Sequence, residues 1–423
     1  MAGLLTDEQY LERLGAAVAL RRQGFLQMAL EVARTLLPER EKEPAVWHTL
    51  GQIQTDLGRF DSALRYHRTA MKLARTRNIE GLDARQVQES QTIAMGLACA
   101  LMRHGQFEAA WPCWEAGRLG PSWTPWPGSA IWDGTPVENL LVQCEGGYGD
   151  VFQFMRWLPL LKQRGLVTGS LGFMVFKRLH DFCDWKALGV DVLYLVGVDQ
   201  ITFGEWPHAT SILSLPGLLG MKAWADIPEP DLPIAFDCPG CSEANGTEGW
   251  ARVEHTPPLC KSDKTRSFRV GFCWRAEENS APRPIRSLPV EVASVIAERL
   301  SPSREILSLS PSGVDLYGKE EFSQPTGLKY EPDKQSSWRA TAEYMCSLDF
   351  VLTVDTAVAH LAGLLGIPTL VLRPVASEWR WGLLDDCQPW YGRSLTCYRQ
   401  HKPYCWDANE IVESTLARLE GLK

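Results

Sequence analysis

Two short stretches of this 423-residue chain pair small residues with an acid at the start of a helix. The first is "EGGYGD", Glu145 to Asp150, one residue after the apolar run "NLLVQ". Gly146, Gly147 and Gly149 let a backbone come close to a ligand. Asp150 stands in the first turn of a helix that "DVFQFMRWLPLLKQRG" predicts, ending at Gly165. A carboxylate there has two uses. It caps the helix and complements its dipole, or it takes the proton of an incoming hydroxyl. No third glycine completes a dinucleotide fingerprint, so a nicotinamide site has little support.

The second stretch is "LDFVLTVDTAVAHLAGLLGIPTLVL", read as strand, acid, helix, Gly-Ile-Pro turn and strand. Asp355 ends the strand. Thr356, Ala357 and Val358 would offer backbone N–H groups at a helix N-terminus, an arrangement that suits a diphosphate. His360, four residues after Thr356, shares that face; the alternative is a polar residue packed beneath the loop. Asp355 would be repelled by a diphosphate unless it holds a sugar hydroxyl or backbone amides. Positive charge for the phosphates comes from Arg286 in "RPIRSLP", from Arg275, and from Arg380 in "EWRWG". Packing between Trp379 and Trp381 is the structural alternative for Arg380.

The elements that must position these residues form an alternation. "ENLLVQC", "GSLGFMVF", "VDVLYLV" and "ATSILSLPGLLG" carry it to about residue 236, and a polar stretch from Cys238 to Ser267 resembles a linker. It resumes through "FRVGFCW", "REILSLS", "DFVLTVD" and "PTLVLRP". Strands separated by helical segments mean parallel sheets, here two doubly wound halves. Ligands in such sheets bind at the carboxyl ends of strands, and a cleft between two sheets is a natural site.

Ahead of both halves lies helix. Gly24 and Gly58 are 34 residues apart, the period of the tetratricopeptide repeat, and a third unit starts at Gly105 after a longer connection. Trp47, Leu50, Gly51, Phe60, Ala63 and Ala70 fall where that repeat wants large and small residues. Such arrays bind partners on a concave surface. Trp111, Trp114, Trp123, Trp126 and Trp132 read as a buried seam between the array and the domain after it. The expected division is an array over 1–120, a first Rossmann-like half over 121–237, a linker over 238–267 and a second half over 268–423.

Composition is that of a soluble globular protein, with 45% hydrophobic and 22% charged residues. A net charge of −8 disfavours a constitutive nucleic-acid or anionic-membrane surface. No apolar run reaches the ~18 residues of a membrane span, and the N-terminus is acidic and amphipathic, so a cytoplasmic protein is expected. Its 12 cysteines would then be mostly reduced. The one close pair, Cys238 and Cys241 in "CPGC", lacks the second pair a zinc site needs. No clustered carboxylates suggest Mg²⁺, so no metal and no cofactor is expected.

Taken together, "EGGYGDVFQFMRWLPLL", "DTAVAHLAG" with "LLGIPTLVL", "SLPGLLG", "RSLP" and "WRWGLLDDCQPWYGRSLTCYRQ" resemble the heptosyltransferase-like glycosyltransferases of family 9. More closely they resemble bacterial and phage proteins that join tetratricopeptide repeats to such a domain. The resemblance implies a GT-B fold and inverting, metal-independent sugar transfer from a nucleotide diphosphate sugar. It places Asp150 on the catalytic base, with Gly147, Gly149 and Gln153 on the acceptor side. Asp355, Thr356, Ala357 and His360 fall on the donor-binding segment, and Arg286 where such enzymes place a basic residue, commonly Lys. Family members often have glycine where Ala357 stands, and no inner-core acceptor determinant is recognisable. The acceptor implied is a macromolecule recruited by the array: a protein, a glycan or modified DNA. Two other classes stay open, a non-catalytic nucleotide-sugar-binding protein and a nucleotide-sugar epimerase or hydrolase on the same fold.

Overall fold

Capping chemistry starts the chain's first helix. Thr6 Oγ1 accepts from Gln9 N–H at 3.2 Å and Gln9 Oε1 accepts from Thr6 N–H at 3.0 Å, satisfying two amides reciprocally. The computed structural model describes residues 5–76, 83–120, 123–202, 204–229, 266–276, 286–310, 325–384 and 388–422. The Cys238–Cys241 pair and nearly all of the expected linker lie outside these residues. Among them the N-terminal helices are α1 (Asp7–Arg22), α2 (Leu26–Arg34), α3 (Leu37–Arg40), α4 (Pro44–Asp56), α5 (Phe60–Arg75), α6 (Ala84–Arg103) and α7 (Phe107–Arg118).

Consecutive helices pack as pairs: α1 on α2, α4 on α5, α6 on α7. The glycines that mark the sequence units, Gly24, Gly58 and Gly105, have φ of 83°, 73° and 70°, so each turn uses the left-handed region glycine favours. Small residues let the helices approach. A Cβ at Gly51 would lie 2.8 Å from the His67 ring, whose centroid is 5.1 Å from that of His48.

The rest of the described chain forms two parallel five-stranded sheets. The first contains β1 (Ala130–Ile131), β2 (Leu140–Gln143), β3 (Leu171–Val175), β4 (Val192–Leu195) and β5 (His208–Ser211), in the order β1-β5-β2-β3-β4. The second contains β6 (Phe268–Cys273), β7 (Arg304–Ser308), β8 (Phe350–Val354), β9 (Thr369–Arg373) and β10 (Leu395–Arg399), in the order β10-β9-β8-β6-β7. All pairings are parallel. Strands β2, β8 and β9 are buried throughout, which explains their continuous apolar sequence. The helices of the first half are α8 (Tyr148–Phe154), α9 (Leu158–Gln163) and α10 (Leu215–Leu218). Those of the second are α11 (Val290–Leu300), α12 (Trp338–Cys346), α13 (Ala357–Leu364) and α14 (Ala408–Glu420). A helical region and two such sheets fit a GT-B-like α/β fold. Among the described residues no helix is long and apolar enough to cross a membrane.

Two local expectations change. The single helix expected from Asp150 to Gly165 is interrupted by a 3-10 turn at Met155–Trp157. Pro159 is the cause, since it has no N–H to give the Met155 carbonyl. The tryptophan seam also reaches further than the adjoining half. Trp111 and Trp114 of α7 pack edge-on against Trp379, in the loop after β9 of the second sheet, at 6.4 and 5.8 Å between centroids.

Candidate active site

Each sheet has one place where neighbouring strands leave in opposite directions, and a candidate loop stands at each. From β2 the chain proceeds outward to β3 and β4, then returns to place β5 on the other side of β2. The glycine loop leaves the carboxyl end of β2, and Ser211 at the end of β5 donates its hydroxyl to Glu145 Oε2 at 2.6 Å. In the second sheet β6 lies between β7 and β8; Arg275 follows β6 and Asp355 follows β8. Crevices at such switch points are where open α/β sheets bind ligands.

The two loops face each other. A Cβ on Gly149 would lie 2.8 Å from His360 Cδ2 and 3.3 Å from Ala357 Cα, so α8 and α13 meet at their first turns and only glycine fits. The Asp150 carboxylate there has two partners. Its Oδ2 accepts from Gly147 N–H at 2.7 Å, which is the capping role, and its Oδ1 accepts from Arg380 Nη2 at 2.5 Å. Arg380 also pairs with Glu378 at 3.2 Å and lies over the rings of Trp379 and Phe154, at 5.1 and 5.5 Å. Burial alone would lower the Arg380 pKa; Asp150 and Glu378 outweigh it and hold it above the ordinary arginine value.

On the other side Thr356 caps α13, its Oγ1 accepting from Val358 N–H at 3.1 Å. That amide, expected to face an anion, is therefore engaged by the helix's own cap. Arg286 Nη1 donates to the Asp355 carbonyl at 3.1 Å, bringing a guanidinium to this turn. Arg275 is half-buried at the end of β6 and receives the Cys273 thiol on its carbonyl. Asp355 itself is buried, its Oδ2 has no hydrogen-bond partner among the described residues, and burial raises its carboxyl pKa against the pull of Arg286.

His360 takes the packed position. Its ring stacks on Trp381 at 5.1 Å and 13°, and Nδ1 lies 3.0 Å from the Tyr391 hydroxyl. Burial first, then Arg380, Arg156 and Arg286, lower its pKa to about 3, so it is neutral at physiological pH. Gln153 is fully buried on α8, with neither amide atom hydrogen-bonded among the described residues. It therefore lies beneath the crevice surface. Gly147 is exposed at its rim.

Sequence reasoning missed Arg156, Tyr391 and Glu145. Arg156 is buried between the halves, donating to the carbonyls of Gln153 at 3.1 Å and Trp390 at 2.8 Å, under the Tyr391 ring at 5.1 Å. An arginine inside the apolar run "FQFMRWLPLL" was the available signal. Glu145 pairs with the buried Arg118 at 2.8 Å, and nothing in the sequence links those positions.

No protein-family model matches the chain. The protein FlbA of Caulobacter vibrioides is 22% identical over 432 residues, covering 92% of this chain and 70% of FlbA. Among solved structures, the family 9 glycosyltransferase of Veillonella parvula is 10% identical with a TM-score of 0.45, over 68% of this chain and 99% of that one. The E. coli ADP-heptose heptosyltransferase II is 12% identical with a TM-score of 0.39, over 67% and 99%. An O-GlcNAc transferase mutant of Thermobaculum terrenum is 12% identical with a TM-score of 0.26, over 99% and 93%. At these identities and TM-scores the likenesses assign no residue a role.

Proposed function

We propose that the protein is an inverting glycosyltransferase that moves a sugar from a nucleotide diphosphate sugar to a hydroxyl of a macromolecular acceptor held by its tetratricopeptide-like helices. The observation that carries this reading is the convergence of the two switch-point loops, Gly149 against Ala357, with the Asp150 carboxylate bonded to Arg380 and the Arg286 guanidinium on the Asp355 turn. Asp150 takes the proton of the acceptor hydroxyl while its oxygen bonds to the anomeric carbon. The bond from that carbon to the diphosphate breaks on the opposite side, and the electron pair leaves with the diphosphate. Arg286, Arg275, Arg380 and the Ala357 amide stabilise that charge, which is how the reaction proceeds without a metal. The unpartnered Asp355 Oδ2 suits a donor hydroxyl, and His360 supports Trp381 and the first turn of α13 from beneath. No cofactor is involved, and cytoplasmic nucleotide sugars are the donors.

A thermal-shift panel of nucleotide diphosphates and their sugars tests this. A ligand at about 100 times its Kd stabilises by about 2.7 kcal/mol. Arg286→Ala should weaken the responding ligand by about 1–3 kcal/mol, the scale of hydrogen bonds to charged groups. No response to any member of the panel would sink the proposal. A second reading, donor binding without transfer, is favoured by the two hydrogen bonds Asp150 already accepts; binding with no turnover on any acceptor or water would select it.

A further inference from the structure

Helix α7 touches both loops of the crevice, and the contacts close a ring. At its C-terminal end Arg118, buried, grips Glu145 Oε2 at 2.8 Å, five residues ahead of Asp150. Burial raises the Glu145 pKa and Arg118 opposes that, so the pair is a desolvated one rather than a surface bridge. Along the same helix Phe107, Trp111 and Trp114 surround Trp379, the residue before Arg380, with centroids 6.2, 6.4 and 5.8 Å away. Arg103, at the end of α6, adds a bond from Nη2 to the Ser377 carbonyl at 2.6 Å. Trp111 is fixed in turn, its Nε1 donating to the Met221 carbonyl at 2.8 Å and its ring seated where Gly217 has no Cβ. The Asp150–Arg380 bond completes the circuit.

We propose that α7 is a strut that sets the two halves of the crevice in register, and that Arg118, Glu145 and Trp379 are positioning residues for Asp150 and Arg380. The helical region is then part of the working site as well as an acceptor-binding surface. The consequence for catalysis rests on Asp150 being the base; the mechanical link does not. A carboxylate displaced by ~1 Å transfers protons far more slowly, so loss of the strut lowers turnover without removing any group that touches substrate.

Hydrogen exchange of the full chain tests the link without needing activity. Arg118→Met should speed amide exchange at least 5-fold in the distant segment 377–382, and Trp379→Ala should do the same in segment 144–150. Trp379→Phe, which keeps an aromatic ring, should restore protection. Trp185→Leu, whose ring packs on Phe173 of β3 and contacts none of the strut residues, should leave both segments unchanged. Faster exchange confined to the substituted residue's own neighbourhood overturns the strut, whatever turnover does. Hydrolysis of the nucleotide sugar that binds best in the thermal-shift panel gives the second readout. Arg118→Met should lower kcat at least 10-fold with KM within about 2-fold, whereas Trp379→Ala should lower kcat and also raise KM through Arg380, with recovery of both in Trp379→Phe. Coupled exchange with unchanged kcat upholds the mechanical link and rejects Asp150 as the base.

Discussion

Arg380 Nη2 lies 2.5 Å from Asp150 Oδ1, joining residues 230 positions apart and one carboxylate to one guanidinium across the crevice. Both side chains are mostly sheltered from water, at 11% and 22% exposure, so the pair is stronger than a surface bridge. A diphosphate entering beside Arg380 would compete with Asp150 for the same guanidinium. The carboxylate freed in this way is the one the proposed reaction needs.

Arg380→Ala should therefore weaken nucleotide diphosphate binding by about 1–3 kcal/mol. Arg380→Lys keeps the charge but loses the planar fork, and should recover only part of the affinity. Isothermal calorimetry reads both. Equal affinity in all three proteins would confine Arg380 to its pairs with Asp150 and Glu378.

Glycine is required at two points of the first loop, for different reasons. Gly146 has φ of 77°, and an added Cβ would strike Asp150 Oδ2. Gly149→Ala would put a Cβ 2.8 Å from His360 Cδ2 and force α8 from α13. Overpacking of this kind costs about 1–3 kcal/mol. Both variants should lose far more turnover than stability, because the strain falls on Asp150 and on the contact between the halves. Urea unfolding with single-turnover kinetics checks this, and a Gly149→Ala protein with parent turnover would count against the crevice.

The sequence made the frame legible through its apolar runs. "NLLVQ", "DFVLTV" and "PTLVL" are strands because a parallel sheet covered on both faces needs continuous apolar residues. Strands β1 and β10 were not legible. Ala130–Ile131 is two residues long, and in "LTCYR", at the sheet edge, Tyr398 donates to Glu410 and Arg399 to the Leu383 carbonyl. Asp150 at a helix start was readable, since a glycine loop and an acid precede an apolar helical pattern. Its bond to Arg380 was not, because no local spacing encodes a contact 230 residues away. For the same reason Trp111 and Trp114 announced a seam but not its partner, Trp379.

Acid should destabilise the fold through its buried histidines. Burial lowers His48 to about 4 and His360 to about 3, and lowers His67 as well. The unfolded chain takes up these protons below the ordinary value of about 6.5 while the folded chain does not, so stability is present above that pH and lost as it falls. His48 and His360 should each remove roughly 1 kcal/mol by pH 5.5, and His67 acts in the same direction. Asp355, Asp56 and Glu145, whose carboxyls burial raises, have the opposite sign and offset part of the loss. Urea titrations at pH 7.5 and 5.5 should show the drop, and His360→Gln should shrink it by one histidine's share. An identical drop in the parent and the variant would refute the assignment for His360.

The decisive variant is Asp150→Asn, because the structure gives Asp150 a cap, an ion pair and a proposed base at once. Asparagine keeps an oxygen for Gly147 N–H, so the cap survives and stability should change little. The charge that holds Arg380 disappears, so the guanidinium becomes available to a diphosphate and donor affinity should hold or tighten. Proton transfer from the acceptor is lost, and kcat should fall by roughly 10²–10⁴. The fall in rate separates the base from a cap, while any tightening reports only the release of Arg380. The Asp150→Asn/Arg380→Ala double variant completes a cycle, and there the gain in affinity should vanish, since it depends on Arg380. Turnover of Asp150→Asn within a few-fold of the parent would assign Asp150 to structure alone and require the base to be sought elsewhere in the crevice.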